Sequence, residues 1–227
     1  MCGRYVLKST LEELKKTYSA IPDGFYQFEP NYNTAPSIHM PVVIQEEDQR
    51  MITPYRWGLV PFWADNPNTG YSMINARSET LLSKRSFSKP FLSQRCVVPA
   101  NGFYEWKRSG SEKVPHYIYS PDYPVLHFAG LYEHWQSSEG ERINSFTIIT
   151  TPANSTIHEL HNRMPAILLP DEIQSWLESA NQDTGVLQDL LRPWPDDSIS
   201  FYRVGTDVNN ARNSGSNLME PYRDLFS

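Results

Sequence analysis

Cys2 is the residue of this chain with the most chemistry to offer, because removal of Met1 leaves it as the amino-terminal residue. An amino-terminal cysteine holds two nucleophiles on adjacent carbons. Its amine has a pKa of about 8 and its thiol one of about 8.5, so part of each is unprotonated near neutrality. The amine condenses with an aldehyde to an imine, and the thiol then closes on the same carbon as a five-membered thiazolidine. An internal cysteine cannot do this. The plainer reading of Cys2 is a small apolar residue near a chain end.

The other chemically useful side chains are scattered. Asn75 offers a donor and an acceptor for a sugar hydroxyl or a developing oxyanion, or else caps the turn that follows it. Arg77 and Arg163 carry the planar fork that grips a phosphate. Glu105 lies in Gly102-Phe103-Tyr104-Glu105-Trp106, where strand alternation puts it on the side of Phe103. Desolvation there lifts a carboxyl toward neutrality and suits it to carry protons, whereas a solvent-facing strand glutamate keeps its ordinary pKa. His161 stands where a helix must end before Pro165, and either exchanges protons or caps that end. Asn33 hydrogen-bonds a substrate or closes an Asx turn. Phe62 and Trp63 put two rings on a loop, where they stack on bases or pack into the core.

Composition narrows the setting. A chain of 227 residues with 39% hydrophobic content suits one globular domain over residues 1–227, or two tightly packed halves, with an ample core. A net charge of −6 argues against polyanion binding by the whole surface, so a nucleic-acid site must be a patch. Residues 77–95 hold five basic side chains against the single acid Glu79, which locates a candidate. Two cysteines, and no basic start followed by an apolar run, predict a reduced cytoplasmic protein, nucleoid-associated if bacterial, with no membrane insertion. Neither CxxC nor HExxH spacing occurs, so no metal site is expected.

The elements that must position these residues follow from patterning. A strand is expected at 4–7. The spacing from Ser9 to Glu12 matches a capping box for a helix to about residue 19, with Leu11, Leu14 and Tyr18 on one face. Residues 21–41 contain four prolines and several aromatics and read as an ordered loop. Strands are predicted at 42–45, 51–60, 95–99, 102–108, 116–120, 125–135, 143–150, 166–169 and 199–204. Short helices are predicted at 78–82, 153–160, 170–180 and 186–191. Many hairpin-length strands without βα alternation indicate an α+β domain, mainly antiparallel strands in a barrel-like pair of sheets with peripheral helices.

Seven motifs in order carry a family resemblance. They are Met1-Cys2-Gly3-Arg4, Tyr32-Asn33-Thr34-Ala35-Pro36, Trp57-Gly58-Leu59-Val60-Pro61, Ile74-Asn75-Ala76-Arg77-Ser78-Glu79-Thr80, Gly102-Phe103-Tyr104-Glu105-Trp106, His161-Asn162-Arg163-Met164-Pro165 and the stretch 209–221. Together they resemble the SRAP family of abasic-site processing proteins over essentially the whole chain. The resemblance implies the SRAP fold and a DNA-damage role in which Cys2, freed of Met1 by peptidase-like self-processing, captures abasic sites as a thiazolidine crosslink. It implies that Glu105 and His161 move protons, Asn75 orients the sugar, and Arg4, Arg77 and Arg163 hold phosphates. Asn33, Phe62 and Trp63 complete the DNA surface, and residues 209–221 belong to the substrate side. The partner is single-stranded or junction DNA carrying abasic sites, with no metal or organic cofactor. Two rivals remain at this level. One is a cysteine peptidase or amidase in which His161 activates Cys2 and Asn75 supplies an oxyanion contact. The other is a noncatalytic single-strand-binding module using the aromatics and arginines.

Overall fold

The computed structural model describes residues 2–110 and 112–223. Strand β1 (Tyr5–Leu7) leads into helix α1 (Leu11–Tyr18), whose buried Leu11, Leu14 and Tyr18 form the expected stripe. The cap lies one residue later than the Ser9 spacing suggests: Thr10 accepts from Glu13 N, and Glu13 Oε2 accepts from Thr10 N at 2.7 Å. Ser9 is engaged elsewhere, because its N–H donates to Asn101 Oδ1 and its hydroxyl accepts from Asn101 Nδ2.

The stretch 21–41 is not a loop throughout. It contains the end of β2 (Ala20–Pro22), all of β3 (Asn31–Thr34) and the start of β4 (His39–Glu46). β2 pairs in parallel with β5 (Gln49–Trp57), and β3 pairs antiparallel with β1, so partners distant in sequence supply ladders that local composition does not disclose. β5 stops at Trp57, short of the expected 60, because the chain turns at Gly58. A Cβ there would lie 2.6 Å from the Gly70 carbonyl oxygen, so two glycine backbones close this loop against each other. A 3-10 turn (Pro67–Ser72) follows, then β6 (Asn75–Arg77) and a second 3-10 turn (Ser78–Thr80) in place of the expected helix.

Helix α2 (Arg85–Ser93) occupies the basic stretch and was not anticipated, since Pro90 inside it argues against a helix locally. Its buried Phe87, Pro90 and Phe91 show that tertiary packing, rather than propensity, holds it. The main strands follow as expected: β7 (Arg95–Ala100), β8 (Gly102–Ser109), β9 (Glu112–Tyr119), β10 (Leu126–Gln136) and β11 (Arg142–Pro152). Then come α3 (Ser155–His158), β12 (Arg163–Pro165), β13 (Ile167–Leu168), α4 (Ile173–Leu177), α5 (Thr184–Asp189) and β14 (Ser200–Arg203).

The strands form two mainly antiparallel sheets, in the order β14-β9-β8-β1-β3 and β12-β11-β10-β7-β4-β5-β2, with β13 beside β10 and β6 beside β11. This is the expected α+β architecture, with helices at the periphery. The chain crosses between sheets at Asn101-Gly102, where a Cβ on Gly102 would meet the Ile118 carbonyl oxygen at 2.5 Å. One core joins the sheets through aromatic contacts. Tyr5 of the first sheet meets Trp57 of the second edge-on at 5.2 Å, and Phe103 meets Phe128 at 5.9 Å. Such pairs add roughly 0.5–1.5 kcal/mol each beyond the burial of their area. No helix among the described residues is long and apolar enough to cross a membrane.

Candidate functional site

The amino-terminal segment is held as an inner strand of the first sheet, next to its edge. β1 lies between β8 and β3, with Tyr5 opposite Phe103 and the Arg4 carbonyl accepting from Tyr104 N at 2.9 Å. Continuing that antiparallel register places Gly3 beside Glu105, so the first and third chemical motifs meet through strand pairing. The second motif arrives from the other sheet. β6 runs parallel to β11, Asn75 lying opposite Ile148, and Asn75 Nδ2 donates to the Cys2 carbonyl at 2.8 Å. A carbonyl can only accept, which fixes the orientation of the amide. Asn75 Oδ1 is then left buried with no hydrogen-bond partner among the described residues, an acceptor available to a donor from outside.

Glu105 is 5% exposed, and burial pushes the pKa of its carboxyl up to about 7. Cys2 is fully buried; its thiol donates to the Arg4 carbonyl at 4.0 Å, and burial, then the charge of Glu105, raise its pKa well above the usual thiol range. This departs from the value of about 8.5 expected for an open chain end. The thiol is therefore protonated at neutral pH and must hand its proton on when it reacts.

His161 follows the short α3 helix, its N–H donating to the Ile157 carbonyl at 2.9 Å. His161 Nδ1 lies 3.0 Å from the Arg163 N–H and 3.3 Å from the Arg163 carbonyl; a backbone N–H can only donate, so the shorter contact makes Nδ1 the acceptor and leaves the proton of the neutral ring on Nε2. Burial holds the imidazole below its ordinary pKa, which favours this neutral form. His161 lines two adjoining hollows. One, of about 400 Å3, is also lined by Glu105, Trp106, Arg108, Lys113 and Asn209; the other, of about 450 Å3, by Arg77, Pro152, Asn162 and Arg163. Four motifs distant in sequence thus converge on one groove.

The remaining candidates divide. Arg77 is exposed in the groove. Phe62 is 50% exposed with Lys89 Nζ 4.8 Å from its ring centre, and Arg85 lies 4.5 Å over half-buried Trp63. The basic stretch therefore sets two cations, one turn apart on α2, against two rings. Arg163 also borders the groove, but its guanidinium is engaged by both carboxylate oxygens of Glu79 and by the Thr150 carbonyl. Arg4 donates to Asn33 Oδ1 at 2.7 Å and to the Val208 carbonyl at 3.1 Å. Asn33 is 1% exposed, and its amide donates to the carbonyls of Val208, Asn210 and Asn213. The Asx turn considered for it belongs instead to Asn31, whose Oδ1 accepts from Asn33 N. The structure thus places Asn33 as a tie between Arg4 and the late segment. That segment is pinned again where Trp106 Nε1 donates to Asn209 Oδ1 at 2.7 Å. Trp106, Arg108 and Lys113 line the groove without having been singled out for chemistry, beside Asn209 of the stretch that the resemblance assigns to the substrate side; the hairpin pairing of Arg108 with Lys113 was the signal that could have found two of them.

Comparison with known proteins gives a consistent picture. The family model described as SOS response associated peptidase (SRAP) matches residues 1–211. The abasic site processing protein YoqW of Bacillus subtilis is 40% identical over 226 residues, covering 98% of this chain and 100% of that protein. The abasic site processing protein HMCES of Xenopus tropicalis is 34% identical, covering 96% of this chain and 78% of its own. A crystal structure of a protein from Bacteroides thetaiotaomicron superposes with a TM-score of 0.90 at 26% identity, over 98% of this chain and 100% of that one.

Proposed function

Because this chain belongs to the SRAP family, whose model spans residues 1–211, we propose that it processes abasic sites in DNA and captures them covalently at Cys2. The substrate is an abasic nucleotide in single-stranded or junction DNA, whose opened sugar presents an aldehyde. The Cys2 amine, freed by loss of Met1, attacks that carbon and one water leaves as the imine forms. The thiol then adds across the imine, sulfur to carbon and its proton to nitrogen, and the thiazolidine closes. Glu105, with a pKa of about 7, accepts and returns protons at neutral pH. The Nε2–H of neutral His161 donates to the sugar oxygen that leaves as the ring opens.

The observation that carries this reading is the Asn75 amide, bonded to the Cys2 carbonyl by one end and offering a buried acceptor at the other. It holds the backbone of the nucleophilic residue and can take a sugar hydroxyl in the same motion. The cysteine-peptidase alternative fits less well, since it needs a thiolate and the Cys2 thiol is buried with its pKa raised. On our reading the only peptide bond the site must see broken is Met1–Cys2.

Intact mass after incubation with single-stranded DNA bearing one abasic site tests this. The expected product is the chain lacking Met1 plus one oligonucleotide, less one water. Cys2→Ala should give only an imine that needs hydride reduction to survive heating. A heat-stable adduct from Cys2→Ala, or from protein acetylated at its amine, would overturn thiazolidine formation.

A further inference from the structure

A groove of about 1040 Å3 lies at the far end of β11 from the site. Thr150 and Pro152 of that strand border the site, and Arg142 and Asn144 border the groove. Asn144 and Thr150 stand roughly 20 Å apart at about 3.3 Å per strand residue. The β4–β5 hairpin contributes His39 and Arg56, paired across the strands, and the β10–β11 hairpin contributes His134, Arg142 and Asn144. Among the described residues Glu141 is the one acid in the wall, so a chain of net charge −6 reverses its sign here.

Two details point to the class of ligand. Tyr71, from the turn Pro67–Ser72, is 60% exposed, with the Arg56 guanidinium 5.2 Å over one face of its ring. That is a stacking platform with a cation already seated on it, leaving the opposite face for a flat ligand. His134 Nδ1 meets Asn144 Oδ1 at 2.8 Å, which leaves the Asn144 NH2 as a donor. The groove wall is also tied to the aromatic loop. Its residue Trp135 donates to the Ala64 carbonyl at 2.6 Å, and Ala64 belongs to the turn that carries Phe62 and Trp63.

We propose that this groove holds the single strand flanking the abasic nucleotide, with a base on Tyr71 and phosphates on Arg56 and Arg142. The proposal rests on the abasic-site reading above and adds to it a contact remote from the chemistry. Binding to oligonucleotides with an unreactive tetrahydrofuran abasic analogue tests it. One oligonucleotide is short, with about two nucleotides on each side; others extend it by about ten on the 5′ or the 3′ side. Extension on one side should raise wild-type affinity roughly ten-fold, and the double variant Arg56→Ala, Tyr71→Ala should lose that gain. The variant should bind the short oligonucleotide, and crosslink its true abasic counterpart, as the wild type does.

The proposal fails if neither extension adds affinity or if the variant keeps the gain. It fails equally if poly-glutamate displaces the long oligonucleotide as well as oligo-dT does, because the groove would then be a surface for acidic proteins. Length dependence on undamaged oligo-dT decides the groove even where no crosslink forms, and absence of the crosslink counts against the abasic-site reading alone.

Discussion

Glu105 shows how burial makes chemistry out of an ordinary side chain. Its carboxyl titrates near 4.5 in an open chain and at about 7 in the fold, so between those values the native state holds a proton that the unfolded state has lost. Stability therefore falls as pH rises through this window. Glu105→Gln removes the titration, so its stability relative to wild type should improve between pH 4 and pH 8 by on the order of 3 kcal/mol, read from denaturant melts at each pH. The same variant should slow crosslinking and flatten its pH dependence around neutrality, since an amide cannot carry the proton. A variant that melts in parallel with wild type at both pH values would show the carboxyl is not held protonated.

At the scale of elements, the site depends on what surrounds β1. Asn75 ties residue 2 to the second sheet, and Asn33 ties Arg4 to the carbonyls of Val208, Asn210 and Asn213. Removing a buried amide that satisfies several partners leaves each of them unpaired, at about 1–3 kcal/mol apiece before relaxation. Asn33→Ala should lower stability by at least about 2 kcal/mol and speed proteolysis at residues 205–213. It should also slow crosslinking by loosening Arg4 and Trp106, although Asn33 itself is buried. Unchanged proteolysis of that segment would show that Asn33 is not its anchor.

For the molecule as a whole, a net charge of −6 means that DNA binding has to come from local cations. Affinity for single strands should fall as salt rises, with a slope set by the few phosphates contacted. Arg77→Ala should reduce that slope by about 1 without altering the melting temperature, because Arg77 is exposed. Arg163→Ala should lower both, since its guanidinium also clasps Glu79 and the Thr150 carbonyl between two strands. Equal affinity for intact duplex and single strands would count against the groove as the binding surface.

Local pattern was enough for much of this protein. Alternation along β8 to β11 revealed the antiparallel framework, and it put Glu105 on the inner side with Phe103, because side-chain direction in a strand depends only on parity. The motifs named Cys2, Asn75, Glu105 and His161 as the residues to watch. Patterning could not show β2 and β3, whose ladders come from β5 and β1, or α2, which survives its proline by burying Phe87 and Phe91. Nor could it show that Asn33 anchors the late segment or that Glu79 occupies Arg163. Those outcomes depend on which side chains long-range packing brings within 3 Å. The raised pKa values of Cys2 and Glu105 have the same origin, since desolvation is a property of the closed core and exists only once both sheets have met.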